Sequence, residues 1–127
     1  MIEAKENFNN TWPFNPNFFS GNGFKQHYVD EGKENNKVIL CLHGEPTWGY
    51  IYRHFIKELS KNFRVVVPDL MGFGKSETPK NKEYSLKTHV ENLENLVNYL
   101  ELKNIYFVGQ DWGCLLYTSD AADEFMG

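Results

Sequence analysis

Residues 104–113 read NIYFVGQDWG, a short apolar run that leads into a pentapeptide with glycine at both ends. The apolar run predicts a β-strand that is buried on both faces of a parallel sheet. The pentapeptide, Gly109–Gly113, has the pattern of a nucleophile elbow, in which flanking glycines permit a cramped turn between a strand and a helix. The central side chain of such a turn stands above the sheet, and here it belongs to Asp111. The stretch therefore predicts an α/β protein with a reactive carboxylate at a strand end.

Further strands are predicted upstream of this stretch. Val38–Leu42 is a continuous apolar run, as expected of a strand buried on both faces. A second buried strand is expected within residues 63–70, where Pro68 stops it. Residues 24–32 show mixed alternation and end in a glycine turn, which favours an early strand.

Two predicted helices lie between the buried strands, over residues 49–61 and 84–102. The apolar positions with helical spacing are Ile51, Phe55, Ile56 and Leu59 in the first helix, and Leu86, Val90, Leu93, Val97 and Leu100 in the second. The alternation of strand and helix predicts a mostly parallel sheet with helices on both faces. Because ligands of such sheets bind beyond the carboxyl ends of the strands, HGEPTWGY after the first buried strand and GQDWG after the third should share one rim.

The residues on this rim suit one kind of chemistry. A carboxylate at a helix N-terminus is favoured in its ionised form by about 0.3–1 kcal/mol, so Asp111 is expected to stay nucleophilic. It can displace a leaving group from an sp3 carbon and form an alkyl ester. Hydrolysis of that ester passes through an oxyanion, for which the backbone N–H groups of Trp112 and Glu45 are the candidate donors. The indole N–H of Trp112 also suits a departing anion such as a halide.

Plainer interpretations exist for these residues. Asp111 could only cap the following helix, since aspartate is a favourable N-cap residue. Trp112 could be a packing residue, and the side chain of Glu45 has no assigned role. The combination of the elbow with HGEPTW upstream favours the chemical interpretation.

Four segments together resemble the N-terminal half of the haloalkane dehalogenases, enzymes of the α/β-hydrolase fold. They are HYVDEG, HGEPTWGYIYR, VPDLMGFGKSETP and FVGQDWG, and the resemblance runs from residue 12 to residue 113. It implies that Asp111 is the nucleophile, that Trp112 is a halide donor, and that Glu45 supplies an oxyanion N–H. It also implies a small-molecule substrate and no cofactor.

The chain departs from that family after the elbow. The family's catalytic histidine, its supporting acid and its helical cap lie further downstream and have no counterpart in the chain. The last residues, CLLYTSDAADEFMG, resemble a translated sequencing adapter rather than the family. We therefore expect a partial α/β-hydrolase domain over residues 1–113, truncated after the elbow, and a non-native tail over residues 114–127. A second hypothesis follows: the chain is a non-catalytic fragment with an unpaired, aggregation-prone sheet edge.

Two related activities stay open because they use the same nucleophile. Epoxide hydrolases share the Asp-Trp-Gly sequence, but they usually carry an aromatic residue where Glu45 stands. Some β-lactone decarboxylases also resemble this chain, including the WPF sequence at Trp12–Phe14.

The remaining reactive residue types are expected to be structural. His27, His43, His54 and His89 are interpreted as scaffold or surface residues, with His43 shaping the loop after its strand. Cys41 is expected in the core, and Cys114 falls in the tail. GFGKS at residues 72–76 is not a phosphate-binding loop, because position 69 is aspartate where that motif requires glycine.

Composition excludes several classes of protein. The net charge is −4 from 13 basic and 17 acidic residues spread along the chain, so no basic stripe indicates nucleic-acid binding. No apolar run approaches membrane-spanning length, and the N-terminus lacks a signal-peptide core. The two cysteines have no metal-binding spacing. We expect a cytoplasmic protein without metal or membrane partners.

Overall fold

The computed structural model describes residues 2–44 and 46–110 of the 127-residue chain. Its strands are β1 (Asn17–Phe19), β2 (Gln26–Glu31), β3 (Val38–Leu42), β4 (Arg64–Pro68) and β5 (Ile105–Gly109). Its helices are a 3-10 helix (Gly49–Tyr52), α1 (Arg53–Leu59) and α2 (Leu86–Leu100). Within these residues no helix is both long and apolar enough to span a bilayer.

The strands form one mixed sheet in the order β1-β2-β4-β3-β5. β3 pairs in parallel with β4 on one side and with β5 on the other, as the alternation of strand and helix predicts. β1 and β2 extend the sheet in antiparallel fashion beyond β4. The α/β class and the parallel centre are confirmed, whereas the three-residue strand β1 carries too short a pattern to be recognised in the sequence.

Each face of the sheet packs against a different helix, because alternate residues of a strand point to opposite faces. On one face Leu40 and Val66 pack with Leu93 and Leu96 of α2, and all four are essentially buried. The opposite face packs against α1 and the N-terminal segment through Ile39, Cys41, Val65 and Val67, which surround Ile56 and Trp12. The predicted coverage of both faces by helices is confirmed, and so is the core position of Cys41.

The first predicted helix differs from the observed one. The chain makes a 3-10 helix before α1 begins, and 3-10 geometry has three residues per turn instead of 3.6. The change of period leaves Ile51 and Phe55 exposed, at 37% and 47%, although their spacing predicted an inward stripe. Ile56 is buried as predicted, and Tyr52, which the predicted stripe did not include, is buried as well.

The prediction that the third strand is buried on both faces is wrong for β5. Tyr106 is 55% exposed, while Ile105 and Phe107 pack only partly against the α2 face. Within the described residues β5 pairs with β3 alone, and α1 leaves Tyr106 largely exposed. An edge position therefore explains the exposure.

The start of α2 is fixed by a side-chain cap, and this gives a testable expectation. The Ser85 hydroxyl oxygen accepts a hydrogen bond from the Thr88 backbone N–H at 3.2 Å. Ser85→Ala should lower the free energy of unfolding in urea by about 1 kcal/mol, because one N-terminal N–H loses its acceptor. Ser85→Thr keeps an acceptor and should lose much less. Equal losses for the two variants would contradict the capping role.

Candidate active site

The carboxyl ends of β3 and β5 lie side by side at one rim of the sheet. Leu42, the last residue of β3, is in register with Gly109, the last residue of β5. The Gln110 N–H then donates to the Leu42 carbonyl at 3.1 Å, so the pairing continues past the end of β5. The buried Tyr52 hydroxyl donates to the same carbonyl at 2.8 Å. The two chain segments that carry HGEPTW and GQDWG therefore leave the sheet as neighbours, as the sequence predicts.

The three predicted site residues themselves, Glu45, Asp111 and Trp112, lie outside the described residues. Their roles as nucleophile, halide donor and oxyanion donors stay predictions. The same holds for Cys114 and the rest of the tail. Gly44, Pro46 and Gln110 are the described residues next to them in the chain.

The segment after β3 is fixed at its start by His43. This fully buried ring accepts a hydrogen bond from the Leu70 N–H at Nε2, with a distance of 2.8 Å. Its Nδ1 therefore carries the proton and donates to the Gly44 carbonyl at 2.7 Å. Burial lowers the pKa of His43, which favours this neutral tautomer. The loop-shaping role predicted for His43 is confirmed.

Asp69 is the residue that sequence reasoning missed. It follows β4 directly, is fully buried, and accepts three hydrogen bonds from different parts of the chain. Its Oδ1 accepts from the Gly49 N–H at 2.7 Å, and its Oδ2 accepts from the Lys75 N–H at 3.0 Å and from His27 Nδ1 at 2.9 Å. The available signal was its place at a strand end on the same rim.

The GFGKS stretch wraps around Asp69 and is structural. Gly74 has a positive φ of 55°, and a Cβ there would lie only 2.5 Å from Asp69 Oδ2, so this position requires glycine. The Lys75 ammonium donates to the carbonyls of Ala4 and Glu6, both at 2.7 Å. Lys75 is 1% exposed, so its charge holds the N-terminal segment in place.

An aromatic cluster packs over the end of the segment after β3. It consists of Phe8, Trp12, Phe14, Trp48 and Tyr50. Trp12 is 1% exposed, and its ring centroid lies 4.9 Å from those of both Phe14 and Trp48. The N-terminal residues therefore contribute to the rim on which the candidate site is built.

A second buried histidine gives the scaffold a predicted pH dependence. Burial, with a smaller contribution from His43, lowers the pKa of His89 from 6.5 to about 4. Since the unfolded chain takes up the proton first, the folded state should lose stability as the pH falls from about 6.5 towards 4. Urea unfolding at several pH values measures this loss, and His89→Gln should reduce it. An unchanged pH profile in that variant would contradict the assignment.

Within the part of the chain that the structure describes, no three His, Cys, Asp or Glu side chains come together as they do around a metal ion. The described residues show a parallel β4-β3-β5 centre, a helix on each face, and two chain segments that leave adjacent strand ends at the carboxyl rim. These features define an α/β protein in which the carboxyl rim of the sheet is the candidate site.

A family model described as the alpha/beta hydrolase fold matches residues 37–123, and the chain belongs to that family. It is 40% identical over 102 residues to haloalkane dehalogenase 2 of Mycobacterium tuberculosis (strain ATCC 25618 / H37Rv), a match that covers 80% of this chain and 35% of that protein. It is 42% identical over 92 residues to a haloalkane dehalogenase of Psychrobacter cryohalolentis, covering 71% of this chain and 30% of the relative. The chain thus spans about a third of the length of these relatives.

Solved structures agree with this relationship. The tetrameric haloalkane dehalogenase DpaA of Paraglaciecola agarilytica superposes with a TM-score of 0.85 at 40% identity, covering 91% of this chain and 41% of that one. An epoxide hydrolase of Vigna radiata superposes with a TM-score of 0.74 at 32% identity, covering 82% of this chain and 34% of that one. The resemblance to haloalkane dehalogenases is confirmed.

Proposed function

We propose that the chain is the nucleophile-bearing part of a hydrolase that cleaves carbon–halogen bonds through an ester on Asp111. The observation that carries this proposal is the register of Leu42 with Gly109, which starts the HGEPTW and GQDWG segments from adjacent strand ends. The similarity to haloalkane dehalogenases, at 40–42% identity, supports the choice of substrate class. A small haloalkane is the substrate, no cofactor is needed, and a cytoplasmic location stays a prediction from the sequence.

The proposed reaction has two halves. A carboxylate oxygen of Asp111 attacks the sp3 carbon, the carbon–halogen bond breaks, and the halide leaves with the bonding electrons. The indole N–H of Trp112 receives the halide. Water then adds to the ester carbonyl, and the N–H groups of Glu45 and Trp112 stabilise the oxyanion before the alcohol departs.

The first half needs no general base, so ester formation is the activity to measure in this chain. His27 and His43 are held within the scaffold by Asp69, Leu70 and Gly44, and we assign neither of them as the base that activates water. Incubation with n-hexyl bromide should release about one equivalent of bromide and add a hexyl group to the peptide that contains Asp111. Bromide release without an adduct on that peptide would contradict the proposed nucleophile.

Epoxide opening is the second candidate, favoured by the structural similarity to the Vigna radiata epoxide hydrolase. The same carboxylate would attack an epoxide carbon and leave a hydroxyalkyl ester without releasing halide. Parallel incubations with n-hexyl bromide and with styrene oxide separate the two activities by the mass of the adduct. An adduct from the epoxide alone would replace the haloalkane proposal, and no adduct from either reagent would reject both.

A further inference from the structure

Two consecutive residues after β4 hold the two ends of the segment that carries Glu45. Leu70 donates its N–H to His43 at the start of residues 43–49, and Asp69 accepts from the Gly49 N–H at the end. The distances are 2.8 and 2.7 Å, and the His43 and Asp69 side chains are fully buried. We call residues 43–49 the oxyanion segment, after the N–H donor proposed for Glu45.

From this juxtaposition we propose that Asp69 is a positioning residue for the oxyanion segment and therefore for breakdown of the ester. Its carboxylate anchors Gly49 to the end of β4 and, through the Lys75 N–H and His27, to the GFGKS stretch and to β2. Such an anchor restrains both described ends of the segment from which the Glu45 N–H is proposed to donate. The proposal rests on the function proposed above, because only an ester intermediate gives that N–H an oxyanion to stabilise.

The space around the carboxylate supports a role in fixing position. A Cβ on Gly49 would lie 3.0 Å from Val67 Cγ1 and 3.1 Å from Asp69 Oδ1, so the segment is in close contact with both β4 and the carboxylate. A Cβ on Gly74 would lie 2.5 Å from Asp69 Oδ2 on the other side. The carboxylate thus lies against the backbone on both sides, and at Gly74, where φ is 55°, the conformation and the contact require glycine.

The two halves of the reaction should depend differently on Asp69. Attack on the haloalkane develops charge on the halide and uses Trp112, so it does not need the oxyanion segment. Cleavage of the ester passes through a tetrahedral oxyanion and does need it. Asp69→Asn keeps the shape of the side chain but replaces one carboxylate oxygen with an NH2 group. That group cannot accept a hydrogen bond from the donors that face it, which are the Gly49 N–H on one side and the Lys75 N–H and His27 on the other. It should therefore slow ester cleavage and leave ester formation nearly unchanged.

The experiment separates the two steps on the full chain. The Asp111 ester is formed with n-hexyl bromide, the reagent is removed, and excess hydroxylamine is added. Hydroxylamine attacks the ester carbonyl without a general base, releases hexanol and leaves a hydroxamate that mass spectrometry detects. In Asp69→Asn we expect cleavage to be roughly 10- to 100-fold slower, below the about 10²–10³-fold cost of deleting an oxyanion donor, because here the donor is displaced.

Two further variants distinguish a specific effect of Asp69 from a general loss of structure. Asp30→Asn removes another buried carboxylate, one that binds Arg64 at 2.8 and 2.6 Å, and should leave the cleavage rate unchanged. Gly49→Ala keeps Asp69 and shifts the segment by a few tenths of an ångström, so it should also slow cleavage. If Asp69→Asn does not give a folded circular dichroism spectrum, Gly49→Ala decides the question.

The outcomes are distinct. Slower cleavage in Asp69→Asn and Gly49→Ala, with ester formation intact, supports the proposal. Normal cleavage in both, or an equal loss of formation and cleavage, overturns it while the proposed function stands. Absence of any ester in the parent chain rejects the proposed function, and this inference with it.

Discussion

Asp111→Ala should abolish formation of the hexyl ester and lower the rate of bromide release by on the order of 10⁴-fold or more, as expected when a catalytic nucleophile is removed. The reason is that bromide leaves only when a nucleophile takes its place on carbon, and water in the site is a far weaker nucleophile than a carboxylate. Bromide release under single-turnover conditions and the mass of the peptide containing residue 111 measure the effect.

A matched control separates this result from alkylation of surface carboxylates. Glu58 has a side chain that is 73% exposed, and Glu58→Gln should react at the parent rate. If Asp111→Ala still released bromide at the parent rate, another group would be the nucleophile and peptide mapping would identify it. The elbow would then have only the helix-capping role that the sequence also allows.

Trp12→Ala should lower the free energy of unfolding by about 3–5 kcal/mol, the usual cost of deleting a large buried aromatic side chain. Trp12 is 1% exposed and packs between Phe14 and Trp48, with Gly49 close beside it. Since small domains are stable by only about 5–15 kcal/mol, the variant should unfold at much lower urea concentration. Tryptophan fluorescence during urea titration measures the loss.

Trp12→Phe is the matched control because it keeps an aromatic ring in the cluster. Among the described residues the Trp12 Nε1 atom has no hydrogen-bond partner, so its removal costs no hydrogen bond. The phenylalanine variant should therefore lose much less stability than the alanine variant. Similar losses would show that the size of the indole, rather than aromatic packing in general, holds the N-terminal segment.

The centre of the fold could be predicted because its residues carry strong local patterns. Val38–Leu42 is apolar at every position, which is the pattern of a strand covered on both faces, and all five residues are buried. α2 shows its inward face through residues three and four apart, such as Val90, Leu93 and Val97. In both places local sequence and tertiary packing favour the same conformation.

The remainder depends on contacts between distant residues, which a local pattern does not contain. Asp69 acquires its role from partners 42, 20 and 6 residues away, and in the sequence it is only an aspartate after a strand. Tyr106 is predicted to be buried because its strand is apolar, but burial also requires an element that packs on the face to which this side chain points. The Gly49 N–H at the start of the 3-10 helix likewise has its acceptor, Asp69 Oδ1, 20 residues away in the chain.

The sequence predicts where the candidate site lies more readily than it predicts which residues are in contact there. Two suggestive segments following parallel strands must share a rim, and the register of Leu42 with Gly109 shows that they do. The roles of Glu45, Asp111 and Trp112 come from the chemistry of those residue types and from the family resemblance. The loop-shaping role of His43 was predictable, whereas the hydrogen bonds of Asp69 became visible only in three dimensions.

The buried thiol of Cys41 is an internal control for folding in every alkylation experiment. Cys41 is 0% exposed, and burial raises its pKa to about 12. Only a thiolate reacts readily with an alkyl halide, so this residue is inert while the core is intact. In unfolded molecules it becomes an ordinary thiol and competes for the reagent. The ratio of hexyl groups on Asp111 to hexyl groups on Cys41 therefore distinguishes catalysis by folded molecules from chemistry on denatured ones.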